Sequence, residues 1–286
     1  MGVMKLASLA AALLALLAPN ASSQTHPGVT FDQNIRTVRA GAEGTDTATA
    51  TIHVTATTSN IKLDITGRAA EVEKMPAAGH IVMLLGDGGA KMTFLVHEQK
   101  QYMTMNPIQM LEGMQKMMSG MGMTIAVDTA LTKVTVDSLG PGPPIDGHSI
   151  LRYRVTSRLH MSIGMMGETN EIDEQWTEEI DAAPDYEDLR QITSAMNKFT
   201  QMSETFGFAK DFFERVQKAH EKFHGFPLHM VKKETKTAGG QTETSTDTTT
   251  VSNIRRGAIA DAEFVVPADY KAVSLPMFAP PDTSGT

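Results

Sequence analysis

The chain has no cysteine among its 286 residues. That excludes disulfides, thiolate metal sites, a cysteine nucleophile and a lipidated N-terminal cysteine. There is no G-x-S-x-G elbow, no P-loop and no dinucleotide fingerprint, so none of those motifs names a reaction. No internal repeat and no clear domain boundary are visible. Positive charge is not in excess: the formal net charge is −8, which argues against nucleic acid or an anionic membrane as the partner. Beyond the N-terminal residues no run is long and apolar enough for a transmembrane helix.

The N-terminal residues themselves, "MGVMKLASLAAALLALLAPNASSQ", read as a secretory signal peptide over 1–23. Lys5 supplies the positive region, Leu6 to Leu17 the short apolar core, and small residues follow. The expectation is a periplasmic or secreted protein with no integral membrane segment after cleavage. About 260 mature residues suffice for a sizeable core without disulfides. The expected organisation is one domain over 24–275 and a disordered tail over 276–286.

Most of the chain alternates apolar with polar residues, the period of a sheet with one wet face. "TATIHVTAT" (49–57) and "IKLDITG" (61–67) are strands. Residues 80–105 read as three strands, with turns at Gly86-Asp87-Gly88-Gly89 and Glu98-Gln99-Lys100. Two further strands flank a loop "PGPPIDG". The acidic "ETNEIDEQWTEEID" reads as a strand with a solvated carboxylate face and Trp176 packed inward. Residues 226–254 read as a long hairpin turning at Gly239-Gly240. Helices are expected over 107–119, 184–197 and 206–224, the first opening on Asn106-Pro107 and the last stopping at Gly225. Antiparallel strands with a few inserted helices predict an α+β fold.

Two patterns bear on function. Eight methionines fall between 103 and 123. On a helix, Met110, Met114, Met117, Met118 and Met121 share one face, and they are the candidate ligand-binding residues, because thioethers adapt to irregular apolar shapes. Core packing is the plain alternative. Copper binding is disfavoured because no histidine interleaves with them. The second pattern is His220-Glu221-Lys222-Phe223-His224, which spells the zinc-peptidase motif H-E-x-x-H. The third ligand is missing from its place: His229 lies five residues past His224, where six are needed. Lys222 places a charge between the histidines, and the apolar stripe Phe208, Phe212, Val216, Ala219 and Phe223 makes this an ordinary amphipathic helix. The motif reads as accidental, with no catalytic residue, no metal site and no cofactor expected.

The order of parts, with "GDGGAKMTFLVHEQKQYMTM", "IDGHSILRYRV" and "FVVPADYKAV", resembles uncharacterised bacterial periplasmic families with the lipoprotein-carrier (LolA/LolB-like) fold. That resemblance implies a strongly curved antiparallel sheet, an unclosed barrel, with helices plugging its concave face. It also implies a non-enzymatic protein that binds an apolar ligand: a lipid, an acyl chain or a lipidated segment. The competing readings are a zinc-dependent hydrolase using the HEKFH motif and a structural envelope protein with a filled core.

Overall fold

The structure, a computed structural model, describes residues 24–42, 44–68, 80–86, 91–165, 168–192, 214–215, 218–219 and 221–273. The expected signal peptide, the tail beyond 275 and His220 lie outside the described residues. The strands, in chain order, are β1 (Thr25–Gly41), β2 (Gly44–Thr57), β3 (Ile61–Arg68), β4 (His80–Gly86), β5 (Lys91–Val96), β6 (Gln101–Met105), β7 (Thr124–Val127), β8 (Lys133–Ile145), β9 (His148–Met165), β10 (Glu168–Ala183), β11 (Phe226–Ala238), β12 (Gln241–Ala260) and β13 (Lys271–Ala272). Helix α1 (Pro107–Gly120) lies between β6 and β7. A 3-10 turn (Pro184–Tyr186) leads into the short α2 (Glu187–Ile192).

All thirteen strands belong to one sheet, in the order β13-β6-β5-β4-β3-β2-β1-β12-β11-β10-β9-β7, with β8 also on β9. Every pairing is antiparallel except β13 on β6, and the sheet does not close on itself. Helix α1 carries the chain from β6, next to β13 at one end of this order, to β7 at the other. Laid flat, ten strand spacings would separate them by about 48 Å. The connection reaches at most about 40 Å, because fourteen of its residues are helical. The sheet therefore curls, bringing its two ends toward each other.

Both ends are protected from further pairing. On β6, the segment 261–273 folds across the outer face: Lys62 pairs with Glu263 at 3.0 Å and Lys100 with Asp269 at 2.8 Å. Val266 and Tyr270 pack on Val82, Leu84 and Leu95. The other end carries the Pro141-Gly142-Pro143-Pro144 stretch, expected as a loop. It is the second half of β8. Proline lacks the N–H that a central strand needs but is tolerated at an edge, where it also blunts pairing with another chain.

The sequence pattern does not show β1, which is central, between β2 and β12. Its alternation breaks at a bulge between Thr30 and Asp32, and it contains Pro27, Gly28 and Asn34. The hairpin β11–β12 turns where expected, with Gly239 and Gly240 at φ +56° and +76°, the left-handed pair of a two-residue turn. The helix expected over 184–197 opens as the 3-10 turn and is α-helical over 187–192. Residues 193–197 lie outside the described residues.

Candidate functional site

Helix α1 is bounded as its sequence dictates. Asn106 Oδ1 accepts the Gln109 N–H at 3.3 Å, with Pro107 as first helical residue. The end is a Schellman turn: Gly122 sits at φ +66°, its N–H donates to Ser119 O and the Met123 N–H donates to Met118 O. Of the five methionines expected on one face, Met117 is 53% and Met121 46% exposed, and Met118 is half-buried. The side chains of Met110 and Met114 lie outside the described residues.

A second set of methionines, absent from that candidate face, sits in the sheet. Strand register builds three rows across β1–β6 on one face. The first is Val29–Ala56–Ile61–Leu85–Met92–Met105 and the second Phe31–Val54–Leu63–Met83–Phe94–Met103. The third, Gln33–Ile52–Ile65–Ile81–Val96–Gln101, is apolar except at its ends. Val29, Val54, Ala56 and Ile61 are fully buried, while Met83, Phe94 and Met105 are partly buried around them. Tyr186 and Leu189 pack on this surface from the 3-10 turn and α2. Phe31 meets Phe226 edge to face at 5.3 Å.

Followed through β12 into β11 and β10, the same face becomes charged. Facing pairs run Ile180–Met230, Glu178–Lys232, Trp176–Glu234, Glu174–Lys236 and Ile172–Ala238. Lys232 Nζ hydrogen-bonds the Glu234 carboxylate and lies 5.1 Å from the Trp176 ring centroid. Burial pushes the Glu178 carboxyl up, with Lys232 opposing. Burial, then the nearby Glu234, pushes Glu174 up. Beyond this stripe β9 and β8 return to apolar residues, Val155 against Val136 and Tyr153 beside Ile180. Trp176 thus lies on the expected face, but the acidic run is not a single solvated face. Glu174 and Glu178 share the Trp176 side, while Asp173, Glu179 and Asp181 occupy the other.

On that other face the carboxylates are matched by β9. Arg152 Nε donates to Asp181 at 3.2 Å, Arg154 Nη2 to Glu179 at 2.7 Å, and Arg158 to Asp173. A groove of about 840 Å³ crosses β8–β11 here, with Lys133, Arg154, Arg158 and Lys233 in its lining.

His220 lies outside the described residues, and the rest of the H-E-x-x-H segment, 221–224, is not helical. Residues 218–219 are helical, but Glu221 and Lys222 form a turn, closed by the Lys222 N–H on Ala219 O at 3.1 Å. Phe223 turns inward onto Tyr153, 5.1 Å between centroids, and His224 is exposed, its backbone N–H donating to Tyr153 Oη. Gly225 explains the abrupt stop. At φ +96°, its Cα approaches Ala183 so closely that a Cβ would lie 2.7 Å from that carbonyl. Among the described residues no three His, Asp or Glu side chains are grouped to hold a metal ion.

No protein-family model matches the chain, and no curated protein sequence matches it. Among the described residues no helix is long and apolar enough to cross a membrane. The geometry combines a largely buried apolar face, crossed by a half-buried charged stripe, with a polar groove on the other face.

Proposed function

We propose that this chain is a non-enzymatic periplasmic or secreted protein that binds an apolar molecule, a lipid, an acyl chain or a lipidated segment, against the apolar face of β1–β6. In this reading the fold is of the lipoprotein-carrier kind, with helices plugging the concave face of the curled sheet. The observation that carries it is the exposure of Met117 in α1 and of Met121 in the turn that closes it, on a connection from β6 to β7 across an apolar-faced, unclosed sheet. A helix that only filled a core would bury such side chains. Unpacked thioethers suit a surface that reshapes around acyl chains. The hydrolase reading is disfavoured because the motif's helical geometry breaks at Glu221.

Native and denaturing mass spectra of the purified protein, together with titration of an apolar fluorescent probe, test this. Met117→Glu combined with Met121→Glu changes exposed positions, so the melt should stay near that of the parent while probe affinity falls about tenfold. Identical native and denatured masses, with no probe uptake by the parent, would leave the face as filled core and overturn the proposal.

A further inference from the structure

The polar face of β8–β11 is independent of the apolar one, and the geometry points to a second site there: a groove for an acidic oligosaccharide. The chain is acidic overall, yet four cations, Lys133, Arg154, Arg158 and Lys233, line this groove against one carboxylate, Glu179. Two of the four are engaged. Arg154 bonds Glu179 and Arg158 bonds Asp173 just outside the lining. Lys133 and Lys233 are exposed; Lys233 attracts the Glu179 carboxylate through space, but that carboxylate is held by Arg154.

Register places these two lysines diagonally across the groove. Lys133 faces Arg158, which faces Gln175, which faces Thr235, two residues from Lys233. Three strand spacings across and two residues along separate their Cα atoms by roughly 16 Å. Apart from Arg158, which Asp173 engages, the positions between them carry uncharged hydroxyls and an amide: Thr135 opposite Thr156, Thr156 opposite Thr177, with Gln175 and Thr235 alongside. A fitting ligand is extended, carries acidic groups near both ends, and presents hydroxyls in the middle. A uronate-bearing sugar chain has that chemistry. Inorganic phosphate is too small to meet both lysines, and an acyl chain would find only two apolar residues, Val231 and Trp176, in a lining otherwise made of charged, hydroxyl and amide side chains.

The test is calorimetric titration of the whole chain at low salt with tetragalacturonate, with cellotetraose as the uncharged chain, inorganic phosphate, and vesicles containing phosphatidylglycerol as comparisons. Tetragalacturonate should bind, cellotetraose and phosphate should not, and the affinity should fall as salt rises. Lys133→Gln and Lys233→Gln should each weaken binding about tenfold, with unchanged circular dichroism because both side chains are exposed. No binding of tetragalacturonate, equal binding of cellotetraose, or indifference to both lysine changes would each overturn the proposal. Lysine-dependent binding to the vesicles alone would also overturn it, and would assign the groove to an anionic lipid surface instead.

Discussion

On one side of β10, Asp173 and Glu179 are held below the usual carboxylate range by hydrogen bonds from Arg158 and Arg154. On the other side, Glu174 and Glu178 are pushed above it by burial. The residues alternate along a single strand, so the difference comes entirely from which neighbours the register supplies. The arginine side is wet, and its carboxylates are ion-paired. The Trp176 side continues an apolar face, and its half-buried carboxylates are raised by burial, with Lys232 opposing at both and Lys236 also at Glu174. Charge on the first side is ordinary surface chemistry. Charge on the second opposes burial, so it marks a part of the sheet that is not simply core.

The comparison breaks most severely where the apolar surface itself is removed. Phe31 is 1% exposed and anchors the second apolar row against Phe226. Phe31→Ala should cost about 3–5 kcal/mol in a denaturant melt, through lost burial and the cavity left behind. A loss under about 1 kcal/mol would show that this surface is not the stabilising core.

Next in size is the charged stripe. Lys232→Met removes the cation shared by Glu234, Glu178 and the Trp176 ring. Two half-buried carboxylates are then left without it, at a cost of about 1–2 kcal/mol at pH 7, below a fully buried pair because Lys232 is 33% exposed. Trp176 is the sole tryptophan, so its fluorescence reports the change directly. An unchanged melt with unchanged emission would place the stripe in water.

Much of the strand framework is legible in the sequence because alternation survives wherever one face is buried. Residues 49–57, 61–67 and 80–105 follow it, and Gly239-Gly240 marks its own turn. Alternation fails where local geometry intervenes. The bulge in β1 shifts its apolar residues out of step, and prolines disguise an edge strand. The helix expected to reach His224 ends early because Gly225 must close on Ala183, a constraint set by a residue 42 positions away. The groove is less legible still. Lys133 and Lys233 are one hundred residues apart and are brought together only by the register of four strands. The methionine pattern shows a helix, but not that Met117 and Met121 would stand exposed.

The finest expected effect compares neighbours in sequence, Glu178→Gln and Glu179→Gln, followed through stability against pH. Glu178 has a raised folded-state pKa. From the ordinary value of 4.5 upward to the raised one, the native state holds more protons than the unfolded chain, so stability falls as pH rises. Removing that carboxylate should flatten this fall, and the variant should gain on the parent between pH 4 and pH 7. Glu179 has a lowered pKa. Its stabilisation is present above 4.5 and is lost as pH drops through the lowered value, so Glu179→Gln should lose stability at pH 7 and match the parent in strong acid. The pair is 43% and 44% exposed, so that loss should stay within about 0.5 kcal/mol and shrink in high salt. Adjacent isosteric substitutions with opposite pH signs would demonstrate that the two faces of β10 are electrostatically separate. The same sign for both would mean that Glu178 is as well solvated as Glu179, and the charged stripe would lose its distinction from ordinary surface.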